Sequence, residues 1–394
     1  MKIKIFNGDG VREDIYLHFK ELVQVCTEKK DYPSIRFKEE HTEKPFNPIF
    51  EKTMSLNDLD INEFISYIEY QKNIKYSNPV FFFCFNFSNY YHFIYDTIPY
   101  IISYRKLKLS EPKLKLLVPD LNFKKFVKET FEILNLSEDD FLELDKNTIY
   151  ERFYFSDSFT HGDNSNLPPH ILLRDLYDEM VNTAKLKIGD LKYSNKIYIS
   201  RRTWVNKDLT NIGTNYTTRR KMLNEDELVS ELNNNGFEEI FTENLSMVDK
   251  IILFNNATNI IGPIGGGLCN CVFCNEFCTL IAIISPTFLD VNYRFIHSLP
   301  KKLILFDKTF HENNEKFKKY QRVLVKEKNI IGEISNIEEN KLHIKGSKNL
   351  ISGWNDDDFY EEFLVNTDEC TTLDQGLNSP FYINIPKFME EINL

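Results

Sequence analysis

The stretch Asn89-Tyr90-Tyr91-His92-Phe93-Ile94-Tyr95-Asp96-Thr97-Ile98-Pro99 places a histidine and an aspartate four residues apart. On a helix that spacing puts both side chains on one face. A His beside an Asp suits general-base work, because either group can take a proton from a hydroxyl. The plainer alternative is a histidine that caps or packs locally and a solvated aspartate. A second group is cationic: Ser200-Arg201-Arg202, then Lys207, then Arg219-Arg220-Lys221 ahead of Asn224-Glu225. Arginines at the carboxyl end of a strand can clamp phosphate bidentately; otherwise they line a solvated loop. A third is Gly262-Pro263-Ile264-Gly265-Gly266-Gly267-Leu268-Cys269-Asn270. A hydrophobic strand, a glycine-rich turn and a helix start offer free N–H groups and a helix dipole to an anion. The order G-x-x-G-x-G is not the dinucleotide fingerprint, and no Lys-Ser or Lys-Thr follows to make a P-loop.

Two further clusters invite metal readings. Cys271, Cys274 and Cys278 fall at helical spacing beside Cys269, but zinc sites prefer two separated pairs joined by a turn. Free cysteine behaves as a small buried hydrophobe, so core packing is the reading adopted. Asp58-Leu59-Asp60 stands at a helix start, where acids complement the dipole, and Asp356-Asp357-Asp358 lies in a polar tail. Both are read as structural, and no metal site is expected.

These residues need elements to position them. Strands are predicted at Lys2 to Phe6, Val80 to Phe85, Lys113 to Pro119 and Thr148 to Phe155, and helices at Tyr16 to Val25, Ile61 to Tyr70, Tyr90 to Leu107 and Phe123 to Leu134. The polar stretch from His161 to Pro169 reads as a linker. After it a helix is predicted at Ile171 to Leu186, and the alternation restarts with strands at Lys196 to Ser200, Glu238 to Thr242, Asn259 to Gly262 and Leu280 to Ile284. Helices are predicted between them at Glu225 to Asn234 and Ser246 to Asn255, and another opening at the glycine turn. Such alternation implies crossovers and a mostly parallel sheet. The expected organisation is an N-terminal α/β domain at 1–165, a C-terminal one at 166–310 and an extension at 311–394 packing back on the body.

Composition narrows the function. Over 394 residues, 48 Lys and Arg against 59 Asp and Glu give a net charge of −11, which argues against a nucleic-acid partner. A hydrophobic fraction of 42%, with 33 Phe and 20 Tyr, supplies a sizeable core. The opening residues hold no run fit for a signal peptide, and the apolar run at 80–85 is too short to span a bilayer. With seven cysteines, an odd and crowded set, a cytoplasmic location is expected.

Taken together, the three groups resemble glycosyltransferase family 61. Asn89, His92, Asp96 and Pro99 match its Asn-x-x-His-x-x-x-Asp-x-x-Pro. Ser200-Arg201-Arg202 and then Arg220 with Asn224-Glu225 match its middle pattern. Gly262-Pro263-Ile264-Gly265-Gly266-Gly267-Leu268-Cys269-Asn270 matches its last, with Ile264 in place of a histidine. Lys250 also stands where the family often has Gln. The resemblance covers roughly residues 80 to 300. It implies a GT-B fold, two Rossmann-like domains facing a central cleft, and inverting transfer from a UDP-sugar without cofactor or metal. It also implies Asp96 as base with His92 orienting it, or the reverse. Donor contacts would come from Arg201, Arg202, Arg220, Asn224, Glu225, Gly265, Gly266, Gly267, Leu268 and Asn270. With no signal or anchor visible, the expected acceptor is a cytoplasmic glycan or lipid-linked intermediate for a surface polysaccharide, with peripheral membrane contact in the lipid-linked case; a protein acceptor is the alternative. The rival readings are a non-catalytic nucleotide-binding module and a metal or redox module built on the cysteines.

Overall fold

Val80 to Phe85 is an unbroken apolar run in which every residue is buried, the signature of a strand covered on both faces of a parallel sheet. The computed structural model describes residues 2–7, 11–16, 18–25, 74–156, 159–160, 172–187, 193–202, 221–285, 302–310, 317, 322–325, 330–347, 361–372 and 380–392. The chain divides into two units, Met1–Thr183 and Ala184–Leu394.

In the first unit, β1 (Lys2–Asn7) and β2 (Val11–Tyr16) form an antiparallel pair. Six parallel strands make the main sheet: β3 (His18–Val25), β4 (Ile74–Tyr76), β5 (Val80–Phe82), β6 (Lys115–Val118), β7 (Phe141–Glu143) and β8 (Thr148–Ser156). They run in the order β3-β8-β5-β6-β7, with β4 also paired to β8. Helices α1 (Tyr100–Lys108) and α2 (Lys125–Ile133) make the crossovers, and α3 (Leu172–Lys187) carries the unit boundary. The sequence predicts a helix over 16–25, but most of that range is β3. Its apolar residues satisfy either period over so short a run, and parallel pairing with β8 decides the outcome.

Five parallel strands form the second unit's main sheet: β9 (Lys196–Ile199), β10 (Glu238–Ile240), β11 (Asn259–Pro263), β12 (Thr279–Ile283) and β13 (Lys302–Phe306). Their order is β10-β9-β11-β12-β13. From β9 the chain goes through α4 (Glu225–Asn234) to β10 on one side. From β10 it returns through α5 (Met247–Asn256) to β11 on the other. The β9/β11 boundary is therefore a topological switch point, where a crevice opens at the carboxyl ends of the strands. A mixed α/β fold with parallel sheets is thus present, as the alternation predicts.

The remaining strands of this unit are antiparallel. β14 (Thr309–Phe310) pairs with β20 (Tyr382–Ile383). Between them β15 (Arg322–Val325), β16 (Ile330–Glu338), β17 (Lys341–Ser347), β18 (Glu361–Asn366) and β19 (Cys370–Thr372) form a separate sheet with its own small core around Val323, Ile334 and Ile344. The last helix, α6 (Ile385–Ile392), sets Phe388 and Ile392 into the core that also holds Tyr198, Ile281 and Phe306. The Phe388 and Phe306 rings meet edge to face at 4.9 Å, so the chain's end is part of the second unit's core. Replacing Phe388 with Ala is expected to cost about 3–5 kcal/mol through the cavity left behind, measured as the drop in unfolding free energy in denaturant; a cost below about 1 kcal/mol would detach α6 from that core.

Candidate active site

In the first unit the loop leaving β5 is built by its own side chains. Asn86 Oδ1 accepts from the backbone N–H groups of Ser88 and Asn89, and Asn89 Oδ1 accepts from His92 N at 3.3 Å, capping the turn Tyr90–His92. The following residues, Phe93–Thr97, form a π-turn in which Ile98 N donates to Phe93 O, five residues back. Pro99 explains it, since in a continuous α-helix its ring would meet the carbonyl four residues before. Widening the preceding turn and restarting the helix at α1 removes that clash. The sequence predicts one helix over 90–107; the proline splits it.

The π-turn aims the pair. His92 Nδ1 lies 2.6 Å from Asp96 Oδ2, and Thr160 Oγ donates to Asp96 Oδ1 at 3.2 Å. Asp96 is almost fully buried, at 6% side-chain exposure, while His92 keeps 22%. Thr160 comes from the segment after β8, so the carboxyl ends of two neighbouring strands converge on one carboxylate. From α3, Tyr177 donates its hydroxyl to Ile94 O at 2.9 Å and steadies the turn from behind. Sequence reasoning missed Thr160 and Tyr177. Thr160 carries little signal, lying five positions past a predicted strand, and Tyr177 carries none.

In the second unit the switch point gathers the other two groups. Gly262 lets β11 approach β9: a Cβ there would sit 3.0 Å from Ile199 Cβ. Gly267 is tighter, with a Cβ falling 2.9 Å from both Ile199 Cγ2 and Thr242 Oγ1, so these glycines serve close packing. Leu268 is buried against Gly262, and Asn270 donates its amide to Gly267 O at 2.8 Å, holding the turn shut. Between these anchors the backbone of 265–267 remains partly open to solvent. The turn leads into a 3-10 helix, Leu268–Phe273, rather than the α-helix its pattern predicts. Cys269, Cys271, Cys274 and Cys278 are all buried, and the last three share no helix. Among the described residues no three His, Cys, Asp or Glu side chains converge as a metal ligand set.

Arg201 spans the two strands. Its guanidinium donates to Ile264 O at 3.2 Å and lies over Gly265, 3.3 Å from where a Cβ would be. Arg202 is engaged differently, forked on Glu239 at 2.9 and 2.5 Å and paired with Asp226. Its hydrogen bonds to Glu239 raise its pKa further. Ile264, at the family's histidine position, is buried, and its backbone bonds Ile283 and Arg201. Asn224 holds the backbone of Ile383, and Glu225 is buried beneath the exit of β9. Burial of its carboxyl lifts Glu225 to about 7 against the bonds it accepts from Arg201 N–H and the Tyr198 hydroxyl. Arg219, Arg220, Lys207, Asp58, Asp60, Asp356, Asp357, Asp358, the linker at 161–169 and the predicted helix at Ile61 to Tyr70 lie outside the described residues.

The family model described as Glycosyltransferase 61 matches residues 90–281, a span that contains His92, Asp96, Arg201, Glu225 and the glycine turn. No curated protein matches the chain. The buried Glu225 gives a prediction of its own. Between about pH 4.5 and 7 the folded chain holds a proton that the unfolded chain has released, so this group's contribution to stability falls as pH rises through that window. Glu225→Gln does not ionise. Its unfolding free energy relative to the parent is expected to improve by about 2–3 kcal/mol between pH 4 and pH 8; a difference independent of pH would contradict a raised carboxyl.

Proposed function

We propose, on the premise that the chain belongs to glycosyltransferase family 61, that it moves a sugar from a nucleotide-sugar to a glycan hydroxyl, inverting the anomeric carbon and using no essential metal. The observation that carries this reading is that one family segment holds both a buried-carboxylate–histidine pair and an arginine lying over a glycine turn at a switch point. The donor is a UDP-sugar, and the acceptor a glycan or lipid-linked glycan in surface-polysaccharide synthesis. A cytoplasmic location and a fold of the GT-B class belong to the same proposal.

The exposure of the pair favours His92 over Asp96 as base. Asp96 accepts from His92 Nδ1–H, fixing the tautomer that leaves Nε2 as the basic nitrogen, and Thr160 holds the carboxylate from the other side. His92 Nε2 takes the proton as the acceptor oxygen forms its bond to the anomeric carbon. The bond from that carbon to the diphosphate breaks, and its electron pair leaves with the phosphate oxygen. Arg201 and the amides of Gly265, Gly266 and Gly267 meet the charge that develops there. Arg202, already neutralised by Glu239 and Asp226, supports the strand exit. Arg220 is proposed as a second donor cation. Asn270 and Leu268 shape the turn.

A second reading, nucleotide binding without transfer, is favoured by Ile264, whose side chain offers no hydrogen bond where the family has histidine. Incubating the protein with a panel of nucleotide-sugars and glycan acceptors separates the two. Transfer is expected, unaffected by EDTA. Asp96→Asn and His92→Ala should each lower kcat by about 10²–10⁴ while donor KM stays within about twofold. Full turnover in either variant removes the pair from the mechanism, and donor binding without any sugar transfer or release favours the second reading.

A further inference from the structure

The family pattern places Asn224 and Glu225 among the donor contacts, yet both side chains are occupied inside the second unit. The carboxamide of Asn224 pairs with both backbone groups of one residue: Nδ2 donates to Ile383 O at 2.9 Å and Oδ1 accepts from Ile383 N at 3.0 Å. That joins positions 159 residues apart. The neighbouring backbone continues the seam, with Leu223 N donating to Phe381 O at 2.8 Å and Phe381 N to Lys221 O at 2.9 Å. β20 is in turn fixed by β14 and by the core contact of α6.

Glu225, the next residue, points the other way. Its Oε1 accepts from Arg201 N at 2.8 Å, Tyr198 Oη at 2.8 Å and Ser200 Oγ at 3.4 Å. With 1% of the residue exposed, the carboxylate cannot reach a ligand. Its other oxygen is buried without a hydrogen bond, an arrangement that costs free energy and is retained where the three bonds are made.

We infer that Asn224 and Glu225 are positioning residues that together tie Arg201 to the C-terminal strand β20, holding its guanidinium over the glycine turn. A free arginine carries about 2 kcal/mol of rotamer entropy. One whose backbone is clamped at the strand exit gives up less of it on meeting a diphosphate. The C-terminal residues 380–392 are therefore part of the donor half although the family match ends at 281. The inference rests on the donor reading of this crevice, and its test keeps the two apart.

Amide hydrogen exchange on the full chain reads the tie without any ligand, and UDP titration reads its consequence. Asn224→Ala should speed exchange in peptides covering 199–202, although Asn224 bonds none of them, while β12 keeps parental protection. The milder Asn224→Asp, which retains the acceptor for Ile383 N–H, should do so less and covers the case in which the alanine variant does not fold. Glu225→Ala and Asn224→Ala should each weaken UDP binding by roughly tenfold, and Glu225→Gln, which keeps an acceptor oxygen, should recover most of that loss. Parental protection at 199–202 in both Asn224 variants overturns the inference. So does a loosened 199–202 with unchanged UDP affinity, or exchange that speeds equally throughout the unit. If the parent binds no UDP, the donor reading falls for that nucleotide, and the exchange data still decide whether Asn224 holds Arg201.

Discussion

Two neighbouring parallel strands whose chains depart to opposite sides cannot cover the space above their own carboxyl ends. That constraint organises the second unit. β9 is followed on one side by β10, and β11 on the other by β12, so the crossovers diverge and leave the strand ends open. The glycines let β11 and its turn pack closely on β9. Gly262 and Gly267 bring β11 and its turn against Ile199 at distances that a methyl group would fill. The partly exposed backbone of 265–267 then lies beside the Arg201 guanidinium. In a chain of net charge −11, the exit of β9 carries two adjacent arginines, Arg201 bonded to Ile264 O and Arg202 forked on Glu239.

The first unit solves a related problem with different means. A carboxylate is buried at the ends of β5 and β8, which is costly unless it is paired and hydrogen-bonded. Both conditions are met, by His92 on one oxygen and Thr160 on the other. The π-turn that presents the pair follows from Pro99, and stacking of Phe85 on Tyr100 at 4.0 Å locks the strand exit to α1. Each member of the motif thus has a local duty, with Asn89 as cap, Pro99 as helix break, and His92 as the partner of the buried Asp96.

Much of this was legible from residue order alone. Strands such as 148–156 and helices such as 225–234 follow from apolar period and capping signals, and the His–Asp spacing brings those two side chains into contact. What stayed hidden depends on partners distant in sequence. The strand at 18–25 is ambiguous by period and takes its form from β8. The glycine turn carries the residues of a helix start, but it is fastened by Asn270 to Gly267 and continues only as a 3-10 helix. Asn224 and Glu225 read from the sequence as donor contacts at a helix start. Their partners are Ile383, 159 positions away, and the backbone of Arg201, and no local pattern announces either.

The switch point at β9/β11 is the site proposed for the donor's diphosphate. A crystal structure of the protein with UDP tests it most directly. The phosphates are expected within hydrogen-bonding distance of the Gly265–Gly267 amides and of the Arg201 guanidinium. UDP seated elsewhere, with Arg201 still bonded to Ile264 O and no phosphate at the turn, would contradict it.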